Sequence, residues 1–73
     1  MFIKLTEMYF QNGEFKEVEI VVPVDLITMI RRSDTVKGQS YIYILKDRMS
    51  NVYTIYTVKE SPSEILAMME KKG

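Results

Sequence analysis

The chain has 73 residues, enough for one small domain, which we expect to span residues 1–73. Its hydrophobic fraction of 47% and charged fraction of 27% are those of a globular protein, so they exclude a disordered or low-complexity chain. Ten basic and ten acidic residues give a net charge of zero, which excludes the strongly basic composition typical of nucleic-acid-binding domains.

Charge is unevenly distributed along the chain. Residues 1–30 hold two basic and five acidic residues, whereas residues 31–59 hold six basic and two acidic residues. If folding gathered the basic residues on one face, they would form a site for an anionic partner. We expect instead that the fold mixes the two signs over the surface.

The first two predicted elements are β-strands at residues 2–10 and 15–22. In the first, Ile3 and Leu5 alternate with polar residues, as expected of a strand with one buried face. Asn12-Gly13 lies between the two runs, and this pair favours a two-residue turn because both turn positions need positive φ. The two strands are therefore predicted to form an antiparallel hairpin, which ends at Pro23 because proline has no N–H to donate.

Three further strands are predicted at residues 27–32, 40–46 and 52–59. Alternation along the first of them puts Ile27 and Met29 on one face and Ile30 on the other. A polar loop leads to the last two strands, which a five-residue polar connection joins into a second hairpin. Both of these strands are rich in tyrosine, isoleucine, valine and threonine, and both carry apolar or aromatic residues on each face.

The chain ends in a predicted helix at residues 61–72. Ser61 can cap the free N–H groups of the first turn, and Pro62 suits the first helical position, where its missing N–H costs nothing. Glu64 can reach back to the Ser61 amide and complete a capping box.

This order of elements predicts an α+β fold. We expect an antiparallel twisted sheet or partial barrel of four or five strands, followed by one C-terminal helix. The apolar stripe of the helix contains four residues, Ile65, Leu66, Met68 and Met69. Because this stripe cannot cover both sheet faces, the sheet must curl into a partial barrel or bury its second face against another copy or another protein.

The residue inventory argues against catalysis and against a bound cofactor or metal. The chain has no histidine and no cysteine, which removes the commonest general base and metal ligand and the strongest nucleophile. Glu17 and Glu19 share a strand face, but paired glutamates on an edge strand usually serve solubility. No glycine-rich phosphate loop or calcium-loop spacing is present. With no secretory segment or membrane-spanning run, we expect a cytoplasmic protein without membrane insertion.

Binding is therefore the predicted function, and the tyrosine-rich strands are the predicted site. We expect a protein partner or a second copy to contact a surface made of Tyr41, Tyr43, Tyr53 and Tyr56, with Arg31 and Arg32 at its rim. The alternative is single-stranded nucleic acid, whose bases would stack on the same tyrosines while basic residues among 31–59 hold the phosphates.

Several short segments resemble the small FlbD/SwrD family. The matching segments are Ile3-Lys4-Leu5-Thr6, residues 24–30 after a proline, Asp34-Thr35-Val36, and the strand-to-helix junction Tyr56-Thr57-Val58-Lys59-Glu60-Ser61-Pro62-Ser63-Glu64-Ile65. The resemblance implies a non-enzymatic cytoplasmic accessory protein linked to flagellar operons and swarming, which acts through other proteins. Similar small proteins in phages and mobile elements give the alternative setting.

Overall fold

The computed structural model of the chain describes residues 1–71, which form five β-strands and one α-helix. The strands form a single antiparallel sheet and the helix follows them, which confirms the predicted α+β fold class. Residue 72, at which the predicted helix ends, lies outside the described residues. The elements are β1 (Phe2–Gln11), β2 (Glu14–Pro23), a 3₁₀ turn (Val24–Leu26), β3 (Ile27–Arg32), β4 (Ser40–Asp47), β5 (Val52–Val58) and α1 (Pro62–Glu70).

The hairpin of β1 and β2 is the longest paired unit of the sheet. Its register runs without a break from the Gln11 and Glu14 pair beside the turn to the Phe2 and Pro23 pair at the far end. Asn12 and Gly13 have φ angles of 54° and 79°, which is the left-handed backbone that a two-residue hairpin turn requires. The Asn-Gly pair thus sets both the turn and the register of the hairpin.

The sheet curves strongly because its two edge strands follow each other in the chain. The strand order is β2-β1-β5-β4-β3, so β2 and β3 lie at opposite edges. In a flat sheet they would be about 19 Å apart, at roughly 4.8 Å per strand spacing. Only the three residues of the 3₁₀ turn join them, and three residues rise about 6 Å in that conformation. The edges must therefore approach each other, and the sheet forms a partial barrel.

Strands β1 and β5 meet over a short seam. Glu7 and Val58 are the one pair in their register among the described residues, and the Lys59 amide donates to the Thr6 carbonyl over 2.8 Å. The Glu60 carboxylate then replaces the next backbone partner, because it accepts hydrogen bonds from the Thr6 amide at 2.9 and 3.1 Å and from the Thr6 hydroxyl at 3.0 Å. Side chains therefore complete the connection between the two hairpins.

The core lies between the concave face of the sheet and the helix. Ser61 and Glu64 form the predicted capping box, with the Glu64 amide donating to the Ser61 hydroxyl and the Ser61 amide donating to the Glu64 carboxylate. The cap directs Ile65 into the core, whereas Leu66 stays half-exposed. The buried apolar side chains are Ile3, Leu5, Val22, Ile42, Val58 and Ile65.

Strict alternation fails in β3. The pairing with β4 shifts between Ile27 and Met29, which indicates a β-bulge. As a result, Ile27 and Ile30 both pack against the core, and Met29 is 49% exposed. The prediction that Ile27 and Met29 share a face was wrong, because the extra residue reverses the side-chain direction between them.

Candidate functional site

The convex face of the sheet lacks a covering element among the described residues. The helix packs on the concave side, and alternation along each strand leaves a set of large apolar side chains on the other side. We call this set the aromatic face, and it consists of Met8, Phe10, Phe15, Met29, Tyr41, Tyr43, Tyr53 and Ile55.

A tyrosine pair lies at the centre of the β3-β4-β5 part of the aromatic face. Tyr43 on β4 lies opposite Ile55 on β5. Tyr53 comes two residues before Ile55 in the same strand, so the two tyrosine rings are diagonal neighbours. Their centroids are 5.5 Å apart with a tilt of 47° between the planes. Tyr53 and Ile55 are each about half-exposed, at 51% and 53%. Tyr53 and Ile55 therefore present apolar surface to solvent beside Tyr43.

Arg31 lies beside this pair. Its guanidinium Nη1 donates to the Tyr43 hydroxyl over 3.2 Å. This hydrogen bond, with the charge of the Tyr43 group and of Asp34, raises the pKa of Arg31 above its ordinary value. Arg31 is thus a permanent cation at the edge of an apolar surface, where it can pair with a carboxylate or a phosphate.

The structure brings together four of the six predicted site residues. Tyr41, Tyr43 and Tyr53 belong to the aromatic face, and Arg31 lies on the same convex side of the sheet. Tyr56 lies opposite Ile42 and packs against the core on the concave side, and Arg32 pairs with Ser40 at the edge of that side. Neighbouring residues of a strand point to opposite faces of the sheet. Tyr56 is therefore on the opposite face from Tyr53, and Arg32 is on the opposite face from Arg31, so one partner surface cannot contact all six residues.

Two exposed phenylalanines belong to the same face and were missed in the sequence. Phe10 and Phe15 are paired across the first hairpin, and their rings meet edge-on at a centroid distance of 5.1 Å. They are 64% and 72% exposed. A cavity of 480 Å³ lies between these rings and Tyr41. The sequence could have predicted this pair, because a two-residue Asn-Gly turn sets a register in which Phe10 and Phe15 lie directly opposite each other.

The basic residues of the second half of the chain are dispersed. Arg31 lies beside the aromatic face, whereas Lys46 lines a cavity that reaches the concave side. Lys59 lies 3.6 Å from the Glu17 carboxylate in an exposed ion pair. Among these three cations, Lys59 is paired with an acidic residue, and Arg31 and Lys46 lie on different parts of the surface.

The exposed surface is larger than that of a compact monomer. A globular protein of 8.6 kDa is expected to expose about 4,700 Å². This chain exposes 5427 Å². The excess is roughly 700 Å², and the exposed side chains of the aromatic face contribute to it.

Within residues 1–71, no three acidic side chains come together as metal ligands, and the helix is not long and apolar enough to span a bilayer. No protein-family model, curated protein or solved structure matches the chain. The geometry of the aromatic face is therefore the basis for a functional proposal.

Proposed function

We propose that this protein is a non-enzymatic interaction module that binds another protein, or a second copy of itself, through the aromatic face. The observation that carries the proposal is the exposed Tyr43 and Tyr53 pair, flanked by the Arg31 cation. Tyrosine and arginine are enriched where proteins meet, because each combines a large contact area with a polar group. Binding would bury these side chains against the partner and remove water from them.

The exposed apolar side chains of this surface supply part of the free energy that binding needs. Half of an aromatic side chain corresponds to roughly 100 Å², and its burial contributes about 2.5 kcal/mol at 25 cal/mol/Å². Tyr53, Ile55 and Met29 are each about half-exposed. Burial of the exposed half of Ile55 or Met29 contributes about 1 kcal/mol, so the three residues together contribute roughly 4–5 kcal/mol before the entropic costs of association, and a protein partner adds further contacts.

Light scattering at micromolar concentration tests association with a second copy. We expect a mass above 8.6 kDa for the native chain and 8.6 kDa for the double variant Tyr53→Thr, Ile55→Thr, which keeps residues suited to a strand. Val18→Thr is a matched control, since Val18 is an exposed strand residue on the opposite side of the sheet. A native monomer would eliminate the second copy and leave another protein as the partner.

Single-stranded nucleic acid is the second candidate. The favourable observation is again the tyrosine pair beside Arg31, because exposed rings next to a cation can stack unpaired bases. A fluorescence anisotropy titration with a short labelled oligonucleotide separates the candidates. Phosphate contacts must weaken steeply as salt rises, whereas an apolar protein contact depends little on salt.

The cellular setting is proposed from the resemblance to the FlbD/SwrD family. In that setting the chain would be a cytoplasmic accessory protein of flagellar or swarming machinery. Deletion of its gene followed by a swarming assay tests the role, and complementation with Tyr53→Thr, Ile55→Thr tests whether the aromatic face is needed. Unchanged swarming after deletion would favour the phage or mobile-element setting.

A further inference from the structure

A second surface of the molecule, the outer edge of β2, has the properties of a docking site for an extended peptide. β2 has ten residues and is the edge strand of the sheet beyond β1. Within residues 1–71, no backbone group outside β1 pairs with residues 15–21 of this edge. An open edge of this length is a template for a further strand.

The hairpin register identifies the free backbone groups. In a two-residue hairpin the residues beside the turn, Gln11 and Glu14, exchange hydrogen bonds, and every second pair beyond them does the same. The groups of Phe15, Glu17, Glu19 and Val21 therefore point away from β1. Thr6, which lies opposite Glu19, confirms this assignment. Its amide and carbonyl bond to Glu60 and Lys59 and not to β2, so the pair of Thr6 and Glu19 does not exchange backbone hydrogen bonds.

A cavity opens beside the same edge. It has a volume of 520 Å³ and lies between the end of β2, the 3₁₀ turn and the last residues of β4. These residues of β4 extend beyond the part of the strand that pairs with β3. Ile20, Leu26, Ile44 and Tyr56 supply much of its apolar wall. A strand added along β2 would pass over this opening and could place apolar side chains in it.

The charges along β2 determine which partner fits. Glu17 and Glu19 point to the convex side, and the ion pair of Glu17 with Lys59 is exposed, so it contributes little. A second copy is a poor occupant. The two antiparallel registers with the longest overlap place Glu17 opposite Glu19 of the copy, or Glu19 opposite itself, and facing like charges destabilise a strand pair.

We propose that the free edge of β2 binds an extended peptide segment of a partner protein in which basic and apolar residues alternate. The backbone of the segment pairs with the free groups of β2. Its lysine or arginine side chains lie opposite Glu17 and Glu19 on the convex side, and its apolar side chains lie over the cavity on the other side. The period of two makes the alternation necessary, because neighbouring residues of a strand point to opposite faces.

The probe for this proposal is a fluorescein-labelled, end-capped peptide of alternating lysine and valine, about seven residues long to match the free edge. We expect saturable binding by fluorescence anisotropy. A peptide of the same composition with the lysines and valines in separate blocks should bind at least tenfold more weakly. A peptide methylated on alternate amide nitrogens should also lose binding, because it keeps the charge and cannot pair. Equal binding of all three peptides would overturn the proposal.

Two substitutions at one position separate charge from backbone pairing. Glu19→Gln removes the charge and should lower the affinity about two- to fivefold. Glu19→Pro also removes the outward N–H, which should lower the affinity about fivefold further. Circular dichroism checks folding of both variants, and if the proline variant does not fold, the methylated peptide supplies the same information. Unchanged affinity of Glu19→Gln would contradict the charge complementarity.

This proposal and the proposed function fail separately. The Tyr53→Thr, Ile55→Thr variant removes contacts of the aromatic face and leaves the β2 edge intact. We expect it to bind the alternating peptide as the native chain does. Loss of peptide binding in this variant would show that the peptide binds the aromatic face, which would overturn the assignment of the peptide to the β2 edge.

Discussion

The carboxylate of Glu60 should be one of the main contributors to stability, because it joins the two hairpins where the β1-β5 ladder is short. It accepts two hydrogen bonds from the Thr6 amide and one from the Thr6 hydroxyl, and these groups are partly buried. Glu60→Ala leaves the Thr6 amide without this partner. A hydrogen bond to a charged group contributes about 1.5–3 kcal/mol, so we expect a loss of about 2–3 kcal/mol.

Urea unfolding followed by circular dichroism measures this loss. The total stability of a 73-residue domain is expected to be about 4–11 kcal/mol, so the variant loses a large part of it. The melting temperature should fall by roughly 10–20 °C. Glu70→Ala is the matched control, since Glu70 is exposed at the end of the helix and its loss should change stability by less than about 0.5 kcal/mol. A Glu60→Ala variant as stable as this control would refute the bridging role.

Three further changes test the fold. Ile65→Ala empties a fully buried helix position and should destabilise the chain by about 3–4 kcal/mol in urea unfolding, whereas Leu66→Ala at a half-exposed position should cost less than about 1 kcal/mol. Gly13→Ala puts a side chain on a residue with a φ angle of 79° and should lower the free energy of unfolding by about 1–2 kcal/mol. The Ser50 hydroxyl, 2.7 Å from Asp47, lowers the pKa of that carboxyl below its ordinary value of 3.8. Asp47 should therefore stabilise the fold above pH 3.8, and the stability difference from Asp47→Ala should disappear as acid protonates the folded carboxylate; a difference that persists in strong acid would contradict this.

Local chemistry accounts for the features that the sequence predicted well. Asn12-Gly13 specifies its turn through backbone conformation alone, and Ser61, Pro62 and Glu64 specify the helix start through hydrogen bonds within four residues. The α+β fold class follows from these local signals and from the strand patterns. Each of these features depends on residues that are close in the chain.

Long-range pairing accounts for what the sequence did not reveal. The contact of β1 with β5 joins residues about fifty positions apart, and it depends on Glu60, whose role has no local pattern. The bulge between Ile27 and Met29 depends on how β3 fits β4. The predicted site treated Tyr56 as a neighbour of Tyr53, although alternation along one strand separates their faces.

Binding through the aromatic face is tested most directly by photo-crosslinking in the native cell, with a photoreactive phenylalanine analogue at position 53. The same analogue at position 63, on the exposed start of the helix, is the control. We expect a discrete protein adduct from position 53 and none from position 63. The mass of the adduct distinguishes a second copy from another protein. No adduct from position 53, or the same adducts from both positions, would contradict the proposed binding face.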